Sequence, residues 1–326
     1  MRRRGFIAGL SAVVSYCLAR STAATEQPLR LVGALLVESA FDLTTVERVL
    51  KQHGWTPGQD VRVEARVSNG DTDQARMYAR ELISLKPNVL FAVTNTSMAA
   101  LYAERSTIPT VFAMVSDPVG MHYVESFSRP GRNVTGFTPF EPSLGGKWVS
   151  LLKEVAPKVQ HLGLIYNPEP GNNSAAFRKS IDDVAGSLGI VSIETPSGSS
   201  SGIERLILTL RDEPSSGLIF LPDAYTSVEP HRSQIIALIA RSQLPAIYPL
   251  RIFCASGGLM SYGVDRNKII EGAASYVDRI LRGANPAELP VQAPTRFELV
   301  LNQRTAKQLG LELPPLLLAD ADEVIE

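Results

Sequence analysis

The chain contains 326 residues, of which 44% are hydrophobic and 20% are charged. This composition is typical of a folded globular protein and excludes a disordered, collagen-like or coiled-coil chain. The net charge of −1 provides no broad basic field, so we expect no nucleic-acid partner. The length exceeds what one hydrophobic core usually supports, which predicts two domains of roughly 150 residues each.

The first 24 residues have the three zones of a secretory signal peptide in the right order. Arg2, Arg3 and Arg4 form a positive head, residues 5–19 are mostly apolar, and Thr22-Ala23-Ala24 offers a cleavage site. The apolar run is shorter than the roughly 20 residues of a membrane span. We therefore predict export to the periplasm with cleavage near Ala24. The pair Arg3-Arg4 also fits a twin-arginine signal, so both export routes stay open.

After this leader, short apolar runs alternate with segments of helical spacing. The predicted strands are Leu31–Leu36, Val61–Val67, Val89–Val93 and Pro109–Val115. The predicted helices between them are Phe41–His53, Thr72–Leu85 and Ser97–Arg105. Buried strands that alternate with helices indicate a parallel sheet covered on both faces.

The same alternation begins again at a predicted helix, Leu144–Val155. The strands predicted after it are Leu162–Tyr166, Ile190–Glu194, Gly217–Leu221, Ala246–Pro249 and Leu259–Tyr262. The helices predicted there are Asn173–Leu188, Ile203–Arg211 and Val228–Ser242, followed by Asn267–Arg282 and an apolar run at Phe297–Leu301. Two such units in tandem predict an α/β protein with two Rossmann-like lobes.

Enzyme motifs are incomplete in this sequence. Gly145-Gly146-Lys147 suggests a phosphate loop, but Glu141 and Trp148 stand where a Walker motif needs Gly and Ser or Thr. A GxSxG match at residues 198–202 lies in a Ser/Gly-rich loop rather than at a strand-to-helix turn. The four histidines lack metal-ligand spacing. We therefore expect no catalytic residues, no metal and no cofactor.

Polar residues recur where predicted strands end, which is where open α/β sheets bind their ligands. The hydroxyl and N–H groups of Thr94–Ser97 suit a carboxylate. Asp223 or Asp117 suits an ammonium group, and Tyr225, Phe140 or Tyr262 could form an apolar wall. The alternative is that these residues only cap helices, since Ser, Thr, Asn and Asp are the preferred caps.

Several longer motifs resemble one family. They are Ser116-Asp117-Pro118-Val119, SRPGRNVTG at 128–136, GGLMSYG at 257–263, PTRFELVLN at 294–302 and ADEVIE at 321–326. From Leu31 to Glu326 the chain resembles the tryptophan/tyrosine-type substrate-binding proteins of ABC transporters, a branch of the type I periplasmic binding proteins. The resemblance implies two lobes joined by a three-segment hinge. It also implies a small amino-acid-like or aromatic solute, a membrane permease as partner, no catalysis and a monomer.

With this resemblance, we expect residues 30–138 plus about 265–300 to form the first lobe, 139–264 the second, and 301–326 a segment packed on the lobes. The ligand-binding residues that it implies are Ser39, Thr94, Thr96, Ser97 and Asp117 in the first lobe and Asn167, Asp223, Tyr225 and Tyr262 in the second. Many relatives carry a Gly-rich turn where this chain has Thr94-Asn95-Thr96, which leaves the ligand's identity open. Two other functions also stay open, a ligand-sensing module for a signalling partner and an exported α/β enzyme.

Overall fold

The structure is a computed structural model that describes residues 29–37, 39–139, 141–166, 174–194 and 199–326. The predicted signal peptide, residues 1–24, lies outside this range. Within the described residues, no helix combines the length and the apolar character that crossing a membrane requires.

The first sheet has five parallel strands in the order β2-β1-β3-β4-β5. Its strands are β1 Arg30–Leu36, β2 Val61–Val67, β3 Val89–Val93, β4 Thr110–Ala113 and β5 Val134–Phe137. The helices of this half are α1 Ser39–Gln52, α2 Thr72–Ser84 and α3 Thr94–Ala103. Every residue of the central strand β3 is buried, because helices cover both faces of the sheet. The sequence did not predict β5, whose four residues include Gly136 and give little strand signal.

The second sheet has seven strands in the order β12-β11-β10-β9-β8-β6-β7. Its strands are β6 His161–Ile165, β7 Val191–Glu194, β8 Ser216–Phe220, β9 Ala246–Tyr248, β10 Met260–Gly263, β11 Glu298–Asn302 and β12 Glu323–Ile325. The helices are α4 Leu144–Val155, α5 Ser174–Ser187, α6 Ser200–Arg211, α7 Ala224–Ser227, α8 His231–Arg241, α9 Arg251–Ala255, α11 Gln303–Gln308 and α12 Pro315–Asp320. The two-sheet α/β architecture predicted from the sequence is confirmed.

Three details differ from the sequence predictions. The helix expected over Val228–Ser242 begins only at His231, after Pro230, and the separate short helix α7 precedes it. β11 pairs antiparallel with β10, as an edge strand of a mixed sheet can do. The first lobe was expected to extend to about residue 300, but Glu298–Val300 already pair with β10 in the second sheet. The division of the chain into moving lobes stays a prediction.

The chain passes between the two sheets three times, after β5, after β10 and before β11. The helix α10, Arg266–Leu281, follows the second crossing and packs on α1, β4 and β5 of the first sheet. The first and third crossings run side by side, since the Thr138 N–H donates to the Gln292 carbonyl at 2.9 Å and the Gln292 N–H donates to the Gly136 carbonyl at 3.0 Å. These hydrogen bonds join two of the three connections between the sheets.

Candidate functional site

A cavity opens between the carboxyl ends of the strands of the two sheets, with an empty volume of about 660 Å³ including its mouth. Residues that follow β1, β3 and β4 line it from the first sheet, namely Val37, Thr94, Asn95, Thr96, Met114 and Ser116. Residues that follow β8 and β9 line it from the second sheet, namely Pro222, Asp223, Ser227, Val228, Leu250 and Ile252. Arg266, the first residue of α10, completes the lining. Open α/β sheets bind ligands at this edge.

Thr94, which lines this cavity, carries a hydroxyl that makes no hydrogen bond to the described residues. Its Oγ1 atom is buried and has no hydrogen-bond partner among the described residues, and the same holds for Ser97 Oγ one turn further on. A buried hydroxyl left unpaired costs about 1–3 kcal/mol, so native proteins rarely keep one without a reason. A ligand oxygen at this position would satisfy the Thr94 hydroxyl.

The backbone at the same edge is held in uncommon conformations. Thr94 has φ +77° and Met114 has φ +60°, both in the left-handed region that side chains rarely adopt. For the β-branched Thr94 this conformation is an outlier, and such strain costs on the order of 1–3 kcal/mol. The Ser116 N–H donates to Asn95 Oδ1 at 2.8 Å, which ties the end of β4 to the start of α3. Strain of this kind tends to persist at ligand-binding edges.

The N-terminus of α3 faces the cavity through Thr94, Asn95 and Thr96. Its cap residue, Val93, makes no side-chain capping hydrogen bond. The first backbone N–H groups of a helix have no partner within the helix, and the helix dipole makes that end partly positive. The first-sheet wall is therefore suited to an anionic group.

Asp223 supplies a carboxylate on the opposite wall. The residue precedes α7, and its Oδ2 atom accepts a hydrogen bond from the Thr226 N–H at 3.0 Å. Asp223 thus combines the capping role and the cavity position that the sequence analysis treated as alternatives.

A partly buried cation, Arg232, holds the second-sheet wall in place. Arg232 donates to the Ser227 carbonyl, to Ser256 Oγ at 3.1 Å and to Glu229 Oε1 at 2.7 Å. Ser227 lines the cavity, and Ser256 ends α9, the helix that carries Ile252. Arg232 therefore links the two segments that form this wall.

The structure places the nine predicted ligand residues in different environments. Thr94, Thr96 and Asp223 line the cavity, whereas Ser97 is fully buried and is not among the lining residues. Asp117 lies in the turn beyond Ser116, where its Oδ1 atom accepts from the Gly120 N–H at 2.9 Å, and it is not among the lining residues. The Ser39 side chain and all of Asn167, like Phe140, lie outside the described part of the structure.

The two predicted tyrosines lie away from the cavity lining. Tyr225 stacks on His231 with ring centroids 3.9 Å apart, and its hydroxyl contacts Ser200 Oγ. Tyr262 packs near Phe297 at a centroid distance of 5.8 Å, and burial followed by the charge of Asp322 raises its pKa. Their roles in ligand binding stay predictions.

Sequence reasoning did not include several lining residues in the predicted site. Met114 and Arg266 were among those not included. Four others, Val37, Val228, Leu250 and Ile252, are apolar and carried no polar signal in the sequence. Arg266 had a usable signal, because only two residues separate it from the end of β10 and it opens a helix. Extending the strand-end rule past Tyr262-Gly263 would have found it.

The comparisons with known proteins agree with this geometry. Residues 42–325 match the model of the family described as ABC transporter substrate binding protein. The match covers most of the chain, so the protein belongs to this family of solute-binding components of ABC transporters.

Individual relatives are distant in sequence and close in fold. The chain is 24% identical over 266 residues to a Clostridioides difficile (strain R20291) protein named "Tyrosine-binding protein", covering 81% of this chain and 75% of the relative. A crystal structure of a conserved domain protein from Vibrio cholerae is 27% identical, with a TM-score of 0.82, covering 90% of this chain and 99% of that one. The structure of an ABC domain in complex with L-Trp from Streptococcus pneumoniae is 21% identical with a TM-score of 0.82, covering 91% and 99%. These neighbours confirm the type I periplasmic binding protein fold.

Proposed function

We propose that this protein is the periplasmic receptor of an ABC importer. It captures an amino acid between two lobes by hinge closure and presents it unaltered to a membrane permease. The observation that carries the proposal is the cavity between the strand ends of both sheets, which is lined by Thr94, a residue whose buried hydroxyl has no partner among the described residues.

The lining of the cavity suits an α-amino acid. The N-terminus of α3 and the Thr94 hydroxyl can receive the carboxylate, and Asp223 can receive the ammonium group. Val37, Met114, Val228, Leu250 and Ile252 provide an apolar surface for the side chain. The name of the C. difficile relative and the L-Trp bound to the S. pneumoniae domain support an aromatic amino acid.

The position of these groups on opposite walls supports hinge closure. A ligand that contacts Thr94 on one wall and Asp223 on the other binds the closed arrangement more tightly than the open one, so it shifts the population towards closure. The three crossings are the connections that can bend. Closure would create the surface that the permease recognises.

Calorimetric titration of the refolded protein with L-amino acids tests the proposal. The protein is first unfolded and refolded to remove any co-purified ligand. We expect saturable binding of L-tyrosine or L-tryptophan, weaker binding of the D-enantiomers, and a rise in the free energy of unfolding of about 2.7 kcal/mol at a hundredfold excess over Kd. Recovery of the ligand in chemically altered form, or the absence of binding to every amino acid, would overturn the proposal.

A further inference from the structure

We infer that Arg266 is a specificity-determining residue that binds the ligand's carboxylate together with the N-terminus of α3. This inference rests on the proposed function and goes beyond it by assigning a full positive charge to one wall of the cavity. Neither strand-end reasoning nor the resemblance to the family pointed to this residue.

The position of Arg266 is fixed by its surroundings in the fold. It is the first residue of α10, and Asp265 caps this helix by accepting from the Asn267 N–H at 2.8 Å. Ile269 and Ile270, one turn further on, are buried against the first half of the protein. The helix start is therefore anchored, and the partly buried Arg266 side chain lines the cavity from it.

Charge is divided between the two walls of the cavity. Among the described residues that line it, Arg266 and Asp223 are the charged ones. Arg266 belongs to a helix that packs on the first sheet, where Thr94 also lies, whereas Asp223 follows β8 of the second sheet. Each wall therefore contributes one charged side chain to the described lining, and the two side chains have opposite signs. A zwitterion gains most when its carboxylate faces the first wall and its ammonium group faces the second.

Arg266 adds a selectivity for carboxylates over neutral groups that the N-terminus of α3 lacks. A helix N-terminus carries about half a positive charge and accepts neutral oxygens as well as anions. A guanidinium carries a full charge and presents paired N–H donors that match the two oxygens of a carboxylate. With Arg266 in the cavity, a ligand whose carboxylate is replaced by an amide should bind much more weakly.

The test compares L-tyrosine, L-tyrosinamide and tyramine as calorimetric probes. The proteins are the refolded full chain, Arg266→Met, Arg266→Lys and the matched control Lys268→Met. Lys268 lies on the same helix but is exposed and does not line the cavity, so its removal changes the net charge equally and gives up only a solvent-exposed ion pair with Asp265 at 3.8 Å. Thermal unfolding of each ligand-free variant checks that it is folded.

We expect the wild type to prefer L-tyrosine over L-tyrosinamide. Arg266→Met should lose about 10- to 100-fold in L-tyrosine affinity and most of that preference. Arg266→Lys should fall between the two, because it keeps the charge and loses the paired donors. Lys268→Met should match the wild type.

Two results would overturn the inference. A full preference for the carboxylate in both Arg266 variants would place the carboxylate elsewhere in the cavity, while the proposed function would survive. Failure of the wild type to bind any of the probes or the remaining standard amino acids would overturn the proposed function, and this inference with it. The behaviour of the wild type alone therefore separates the two failures.

Discussion

The ring of Phe137 lies so close to Gly272 that a Cβ atom on Gly272 would be 2.4 Å from the ring's Cε1 atom. Tyr276, one turn along α10, meets the same ring edge to face at a centroid distance of 4.9 Å. Phe137 ends β5 and opens the first crossing between the sheets. The start of this crossing is therefore attached to the first sheet.

Replacing Gly272 with alanine should destabilise the protein. The added methyl group must displace the Phe137 ring, and overpacking of this kind costs about 1–3 kcal/mol. Gly186→Ala on α5 is the matched control, since no neighbouring heavy atom lies within 4 Å of a Cβ there. That variant should gain about 0.5–1 kcal/mol from helix propensity. Urea unfolding measures both, and equal stabilisation of the two variants would show that the Phe137 contact is not tight in solution.

Thr94→Val should separate ligand binding from folding stability. Valine keeps the shape and removes the buried hydroxyl that has no partner among the described residues. We expect the free energy of unfolding of the ligand-free protein to stay equal or rise, and L-tyrosine affinity to fall about 10-fold or more. Thr138→Val is the control, because its Oγ1 atom is equally buried and unpartnered but does not line the cavity. If both variants bind L-tyrosine as the wild type does, the Thr94 hydroxyl does not contact the ligand.

Asp223→Asn should weaken amino-acid binding and leave the fold intact. The asparagine oxygen can still accept from the Thr226 N–H, so α7 keeps its cap. The loss of the negative charge should reduce L-tyrosine affinity by about 10- to 100-fold. An alanine at this position would also remove the cap, at about 1 kcal/mol, and is the poorer test.

A matched control for Asp223→Asn exists on α2. Asp71 caps that helix by accepting from the Gln74 N–H at 2.8 Å and does not line the cavity. Asp71→Asn should therefore leave the calorimetric affinity unchanged. An Asp223→Asn variant with wild-type affinity would remove Asp223 from the binding site.

The ionised Asp278 carboxylate should make part of the free energy of unfolding depend on pH. This carboxylate is 5% exposed and accepts from Trp55 Nε1 at 2.7 Å and Arg282 Nε at 2.7 Å, and His53 Nδ1 lies 3.0 Å away. Burial by itself raises the pKa of Asp278, but these hydrogen bonds and the charges of Arg282 and His53 outweigh burial and lower the pKa below its usual value. The cluster joins α10 to the segment that follows α1.

The sign of the pH effect follows from that lowered pKa. The stabilisation is complete above the pKa of an unfolded aspartate, about 3.9, and is lost as the pH falls through the lower pKa of the folded state. Asp278→Asn should cost about 3 kcal/mol at neutral pH, and the difference from the wild type should shrink in acid. Denaturant unfolding between neutral and acidic pH measures this difference. A constant difference across that range would contradict the assignment.

The α/β architecture was predictable because its signals are local. The central strand Val89–Val93 is a run of apolar residues with the same bounds in sequence and structure, and Asp71 caps α2 as a helix start should. The short helices α7 and α9 were missed, because helices of four and five residues have no sustained periodicity. β12 was missed because its three residues pair with a strand that follows the third crossing.

The cavity was predictable only in part. Strand-end reasoning found Thr94, Thr96 and Asp223 because polar residues after a strand stand out in a sequence. It could not distinguish Ser116, which lines the cavity, from its neighbour Asp117, which binds the Gly120 N–H in a turn. It also could not find Leu250 or Ile252, since an apolar residue after a strand looks the same whether it faces a ligand or the core. Only the packing of the two sheets decides these cases.

Hydrogen–deuterium exchange of the refolded protein, with and without saturating L-tyrosine, tests the central claim most directly. We predict that the ligand slows exchange of the backbone amides at Thr94–Thr96 and at Asp223–Val228 together, because the ligand is held by the strand ends of both sheets. Slower exchange at only one of these segments, or at neither while calorimetry shows binding, would contradict capture between the two halves of the molecule.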